Sequence, residues 1–296
     1  MTEPTLGPLS GLVVVDKPAG WTSHDVVGRM RRIAGTKKVG HSGTLDPMAT
    51  GVLVLGINRA TRLLGYLTLA DKEYLGTIRL GQTTVTDDAE GDVTETVAAG
   101  QVDPAALAKA VAAWTGDIAQ VPSAVSAIKV DGVRSYTRVR AGEDVALPPR
   151  PVTVLTFEIT DVRPGDDITD VDVRVVCTSG TYVRALARDV GATLGVGGHL
   201  TMLRRTRVGE FGLELAHTLD ELEQQMAVVD LDSAAHSAFA TYALTAEQAT
   251  DVRFGRVLTA IDLGSPGPVA LFDPSGQFLA LYEQRGGTAR AVAVFV

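Results

Sequence analysis

The sequence predicts an α+β fold that ends in a small, β-rich unit. Helical and strand patterns are interspersed without a regular strand–helix–strand rhythm, which disfavours a doubly wound parallel sheet. The two periods are both present. Val171, Val173 and Val175 alternate along one strand face, while Val183, Leu186, Ala187, Val190 and Leu194 form a helical stripe. After about Asp220 basic residues thin out, and short strand patterns between Gly/Pro turns run to the end.

Residues 1–10 read as a short tail, with neither a cationic start nor an apolar run of the kind a signal peptide has. Leu12–Val15 is an apolar strand stopped by Asp16-Lys17-Pro18-Ala19-Gly20. Ser23 is the expected cap of a helix through about Ile33. A Gly-rich loop containing Asp46 leads into a strand over Val52–Ile57, a helix over Ala60–Leu69 and a strand over Glu73–Leu80. Asp103-Pro104 opens the next helix, with Asp at the cap and Pro in the first turn. Gln120 to Pro151 is rich in loop formers and reads as an arm, with its mobility left open by the sequence. Strands over Val152–Ile159 and Ile168–Cys177 and a helix from about Tyr182 to Leu194 complete the larger unit, residues 11–220. Residues 221–296 form the smaller one.

The net charge of −8 argues against a general nucleic-acid binder, yet the charge is unevenly placed. Arg29, Arg31, Arg32, Lys37, Lys38, Arg59 and Arg62 cluster around Asp46 in the sequence. Further basic groups are Lys129, Arg134, Arg138, Arg140, and Arg184, Arg188, Arg204, Arg205, Arg207. One cationic face on an acidic body is expected, able to attract a polyanion such as RNA. A lone Cys177 excludes an internal disulfide, and the five histidines lack metal-ligand spacing. No apolar run could span a bilayer. A cytoplasmic protein without cofactor or metal, and with no feature implying a homo-oligomer, is the expectation.

Three apparent motifs fail on inspection. Gly35 to Ser42 has P-loop spacing, but His41 stands where the phosphate-binding lysine is required. Ser23-His24-Asp25 diverges around a helix and makes no triad. Asp87-Asp88-Ala89-Glu90-Gly91 lacks the closing bidentate glutamate of a calcium loop. Asp46-Pro47 by itself is a common turn element.

The informative pattern is spread along the chain: Val14-Val15-Asp16-Lys17-Pro18, Val39-Gly40-His41-Ser42-Gly43-Thr44-Leu45-Asp46-Pro47, Lys72-Glu73-Tyr74, Gly81 through Gly91, Ser179-Gly180-Thr181-Tyr182-Val183-Arg184-Ala185-Leu186, and Leu203 through Gly209. In this order these stretches resemble the TruB family, bacterial pseudouridine synthases that act on the T arm of tRNA. The resemblance covers most of the first 210 or so positions. It implies a pseudouridine synthase fold with a mixed, mostly antiparallel sheet, and a small PUA-like RNA-binding domain over 221–296. It also implies isomerisation of uridine 55 of tRNA, with no cofactor. A non-catalytic RNA-binding or tRNA-folding protein on the same scaffold, or a synthase with another RNA target, is the alternative.

Residue by residue, the resemblance implies that Asp46 is the catalytic carboxylate, attacking C1′ or C6 or prompting loss of the C2′ proton. Arg184 pairs with it, Asp88 orients Arg184, and Tyr74 stacks on uracil. His41 fills the space left by a flipped base. Lys17 and Pro18 shape the floor and touch phosphate, and Tyr182 packs beneath the base. Lys129 and Arg134, on the RNA-gripping insertion of about 120–151, contact phosphate.

Overall fold

The computed structural model describes residues 9–125 and 147–296 and, between them, only the backbone pairing of Lys129–Val130 with Val133–Arg134. The 120–151 arm therefore falls largely outside the described residues.

Apolar runs become the centre of a ten-stranded sheet. Its strands are β1 (Gly11–Lys17), β2 (Val39–His41), β3 (Thr50–Ile57), β4 (Lys72–Leu80), β5 (Gly116–Gln120), β6 (Arg150–Pro164), β7 (Thr169–Cys177), β8 (Gly198–Val208), β9 (Phe211–Gly212) and β10 (Val229–Asp230). The order is β10-β1-β3-β8-β4-β7-β6-β5, with β2 paired to β3 and β9 to β8. Within this sheet, among the described residues, only β3 and β8 run parallel, with Arg204 opposite Thr50 and Arg205 opposite Gly51. The sheet is thus mixed and mostly antiparallel, as expected.

β1 and β3 are apolar on both faces because both faces are covered. Successive side chains point to opposite sides of a strand. Val13, Val15, Leu53 and Leu55 accordingly join a core with α1 (Ser23–Ile33) and, beyond α2 (Leu64–Leu67), with α3 (Pro104–Ala113), α4 (Val183–Leu194), Leu219 and Leu222. Leu12, Val14, Val52 and Val54 join a different core, with Leu64 and Leu67 of α2. After α5 (Leu219–Gln224), Ala234 and Ala235 of α6 (Leu231–Ala238) enter that second core too.

A second sheet begins at Ala240. It comprises β11 (Ala240–Ala243), β12 (Leu258–Thr259), β13 (Val269–Phe272), β14 (Phe278–Arg285) and β15 (Thr288–Val294), in the order β11-β13-β14-β15-β12, with α7 (Ala246–Arg253) packed on it. Phe272, Phe278, Leu281 and Phe295 reach the core shared with β1 and β3. Arg59 donates to Phe295 O at 2.7 Å, and Arg62 lies 5.1 Å from the Phe295 ring centre. The two sheets therefore share apolar surface.

Two local differences from expectation have clear causes. The cap of α1 is Thr22, in a reciprocal capping box with Asp25. Ser23 is unavailable because its hydroxyl donates to Leu45 O at 3.1 Å and accepts from Leu45 N–H at 2.8 Å. Between β3 and β4 the expected helix over Ala60–Leu69 is instead a 3-10 turn (Asn58–Arg62) followed by α2, and Arg59 and Arg62 of the turn donate to Phe295 O and Val294 O.

Candidate active site

The loop after β2 is fixed from below by a set of buried polar side chains. Lys17, fully buried at the end of β1, donates its three protons to Pro18 O (2.9 Å), Trp21 O (2.6 Å) and Pro47 O (3.1 Å). Burial pushes its pKa down to about 8. Ser23 clasps Leu45, whose side chain is itself buried. Arg205 of β8 is 1 % exposed and donates to Val52 O (2.7 Å), Thr44 O (3.4 Å) and Gly43 O (3.2 Å). Gly51 makes that approach possible: it sits at φ +97°, and a Cβ there would lie 2.1 Å from Arg205 O. Asp46 is carried at the top of this pinned loop.

Arg184 meets Asp46 from the other side. Its Nε lies 3.0 Å from Asp46 Oδ2 and 3.5 Å from Asp88 Oδ2. One terminal nitrogen donates to Thr86 O at 2.8 Å and the other to Val125 O at 3.0 Å. A guanidinium held at every edge has one orientation; with its terminal nitrogens on carbonyls, the nitrogen nearest both carboxylates is Nε, a contact strengthened by opposite charge. The exposures are unequal: the side chains of Arg184 and Asp88 are 5 % and 3 % exposed, that of Asp46 38 %. Asp88 accepts from the Thr86 hydroxyl and from Glu90 N–H (3.0 Å), so it belongs to the support. Asp46 presents itself to whatever enters.

What can enter is defined by a cleft of about 250 Å³. It is bounded by the 43–46 loop, by Lys72 and Tyr74 of β4, by the turn from Thr178 into Arg184, and by Leu203 and Arg205. Burial raises the Tyr74 pKa above its ordinary value, with Arg205 opposing. The phenol is therefore neutral at pH 7. Lys72 donates to Thr68 O and to Ala70 O (2.7 Å), and burial pushes it down to about 8. Tyr182, on the cleft wall, has its backbone gripped by Gln120: its N–H donates to Gln120 Oε1 at 2.8 Å and its carbonyl accepts from Gln120 Nε2 at 3.1 Å.

Asp46, Tyr74, Tyr182 and Arg184 thus converge on one hollow, with Asp88 directly behind. His41 stands apart, on β2 opposite Leu55; burial holds its imidazole below the ordinary value, and Nδ1 is buried without a hydrogen-bond partner among the described residues. Lys17 corrects an expectation. It is enclosed and spends its protons on carbonyls, so it shapes the floor without reaching phosphate; Pro18 is exposed. The side chains of Lys129 and Arg134 lie outside the described ones.

The expected cationic surroundings of Asp46 also have different uses. Arg29 pairs with Asp220 and Glu223, and Arg59 and Arg62 hold the C-terminal strand. Arg31, Arg32, Lys37 and Lys38 are exposed. The charge that faces Asp46 comes instead from Arg184, far along the chain. Sequence reasoning missed the roles of Arg205, Gln120 and Ser23. For Arg205 a signal existed: it follows Leu203 by two positions and so shares its inward face.

Comparison with known proteins agrees with this geometry. The profile described as TruB family pseudouridylate synthase (N terminal domain) matches residues 31–183, just over half of the sequence. The chain belongs to the TruB family. Two further TruB profiles match the rest of the chain after residue 183: tRNA pseudouridylate synthase B C-terminal domain over 184–249, and tRNA Pseudouridine synthase II, C terminal, over 239–296. A tRNA pseudouridine synthase B of Streptomyces griseus is 57% identical over 100% of both chains. One of Nocardia farcinica is 57% identical over 98% of this chain and 94% of its own. Among solved structures, a chain of a Cbf5-Nop10-Gar1 complex is 26% identical, with TM-score 0.74 over 97% of this chain and 85% of that one. This TruB-family chain also has, among its described residues, no helix long and apolar enough to cross a membrane.

Proposed function

We infer that this protein is a tRNA pseudouridine synthase that converts uridine 55 of the T arm into pseudouridine. The observation that carries the inference is the Asp46–Arg184 pair, 3.0 Å apart at the mouth of a cleft walled by Tyr74. The reaction is an isomerisation. The N1–C1′ bond breaks, the freed uracil turns, and C5 bonds to C1′; C5 gives up its proton and N1 ends protonated. Nothing is oxidised and no water is consumed.

A uridine inside a folded loop must first be turned outward, at a cost of about a few kcal/mol. The vacated space is assigned to His41, whose neutral ring can stack. In the cleft the everted base lies against the Tyr74 ring, with Tyr182 beneath. Asp46 then stands beside the sugar as a nucleophile, stabiliser or base toward C1′, C6 or C2′. Arg184 fixes the direction of its oxygens while the bound base excludes water, and Asp88 fixes Arg184.

The rest of the molecule is assigned to grip. Exposed Arg31, Arg32, Lys37 and Lys38, with Lys129 and Arg134 of the 120–151 insertion, are suited to phosphate contacts, and such contacts weaken with salt. The second sheet, from Ala240 to the end, is assigned as a PUA-like RNA-binding domain; the expected boundary at 221 moves because Val229–Asp230 pair with β1 and Ala234 and Ala235 enter the core shared with β1 and β3. The enzyme is taken to act as a cytoplasmic monomer. Incubation with unmodified tRNA transcripts, followed by mapping of converted uridines, tests the proposal: conversion at position 55 supports it, and a transcript left unconverted at every position contradicts it.

A further inference from the structure

We propose that Arg188 is a positioning residue which, with Asp87, sets the distance between two backbone segments so that Arg184 stays aimed at Asp46. The proposal deepens the synthase activity inferred above and rests on it for its kinetic consequence. Arg184 and Arg188 are four residues apart on α4 and so project from the same face. They make the same pattern of contacts. Arg184 donates to Thr86 O and to Val125 O. Arg188 donates to Asp87 Oδ2 at 3.2 Å and to Val121 O at 2.7 Å, with its Nε on Asp189 Oδ1 at 2.9 Å. Each guanidinium therefore bridges residues 86–88 to residues 121–125. The pair forms two rungs of one ladder.

The second rung has no other evident duty. Its donors are committed to protein acceptors, and its side chain is 26% exposed, so it is poorly suited to hold phosphate. Asp87 stands in a tight turn at φ +59°, in the left-handed region that Asp tolerates better than most residues, with its N–H on Thr84 O at 3.3 Å. Its carbonyl accepts from Leu200 N–H at 3.1 Å, so the loop is held by β8 as well. With Arg188 removed, Val121 O and the Asp87 carboxylate lose their shared donor. The two segments that Arg184 depends on can then shift apart, and the angle between Arg184 and Asp46 is no longer fixed.

Arg188→Ala, Arg188→Lys, Asp87→Asn and the double variant Asp87→Asn/Arg188→Ala test this. Single-turnover rates are measured with enzyme in saturating excess over tRNA transcript, a condition in which a misfolded fraction does not alter the rate constant. Misplacement of a reacting group slows chemistry more than binding, so Arg188→Ala is expected to lose about tenfold in rate constant with tRNA Kd within about twofold. Arg188→Lys recovers part of the loss, and the double variant is no slower than Arg188→Ala, because the two residues act as one unit. A wild-type rate constant in Arg188→Ala overturns the proposal, as does a loss confined to tRNA affinity. A readout independent of turnover keeps the two inferences separable: hydrogen exchange at Arg184 Nε–H, followed by NMR, must be slow in the wild type and accelerate in Arg188→Ala. If the wild type converts no uridine, the synthase assignment fails while this exchange measurement still decides the role of Arg188.

Discussion

Around the cleft, the chain buries Lys17, Lys72, Asp88, Arg184 and Arg205, and each has its hydrogen bonds made by named partners. In the core of the second sheet the buried groups are Leu244, Val252, Leu271, Leu279 and their apolar neighbours, and Tyr282 contributes a single hydroxyl that donates to Arg256 O at 2.8 Å. The same chain thus fills two interiors by opposite means. Apolar packing is non-directional and gains from area alone. A buried ion costs desolvation and returns it only if the geometry is right. The contrast places the directional solution beneath Asp46, where orientation matters for chemistry, and the cheaper one where a surface only has to be held in shape.

The largest break in this contrast is expected from Arg184→Met. Asp88 would be left buried without its cation and Asp46 without its guide. Loss of one preorganised electrostatic partner lowers turnover by about 10²–10³-fold, and breaking a buried pair destabilises by about 3–5 kcal/mol. Single-turnover kinetics and denaturant unfolding measure both. Gly51→Ala comes next. The added methyl would collide with Arg205 O at a φ of +97°, so a loss of about 3 kcal/mol and displacement of the 43–46 loop are expected, read as a lower unfolding midpoint together with a slower rate. Leu271→Ala sharpens the comparison from the apolar side. It should cost about 2–5 kcal/mol by opening a cavity yet leave the single-turnover rate of the folded enzyme unchanged; a slowed rate would mean that the two interiors are coupled.

The legibility of the sequence follows the same division. The apolar strands β1, β3 and β7 and the helix α4 could be located because burial imposes a period on side chains. The order of Lys72-Glu73-Tyr74 and Ser179 through Leu186 likewise pointed to residues that line one cleft, and Gly81 through Gly91 to the loop that holds Arg184 from behind. What charge counts alone did not show was which cation faces Asp46; only the family resemblance pointed to Arg184. Arg29, Arg59 and Arg62 are its neighbours in sequence, but they pair with α5 and adjoining residues or with the C-terminal strand. Arg205 arrives through long-range strand pairing, and Arg184 on the helix α4 that links β7 to β8. Charge counts carry no direction, and a lysine such as Lys17 looks the same in sequence whether its protons meet phosphate or three carbonyls.

The smallest expected effect concerns pH. Lys72 titrates near 8 in the folded protein against about 10.4 when unfolded. Between those values the unfolded chain binds more protons, so the Lys72 contribution to stability rises with pH from about 8 to about 10. Tyr74 works the other way, since its pKa is raised by burial and its contribution falls only above its unfolded value. The stability difference between wild type and Lys72→Met, followed by denaturant unfolding from pH 7 to 10, should therefore move in favour of the wild type as pH increases. A difference that stays flat would mean that Lys72 is not charged at a cost.

Everything about the cleft turns on the Asp46 carboxylate, and Asp46→Asn isolates it, since the amide keeps the size and leaves the loop anchors in place. With saturating enzyme and an unmodified tRNA transcript, the variant should bind RNA with near wild-type affinity and form no measurable pseudouridine, a fall of at least ~10³-fold. Turnover close to that of the wild type would show that the chemistry lies elsewhere.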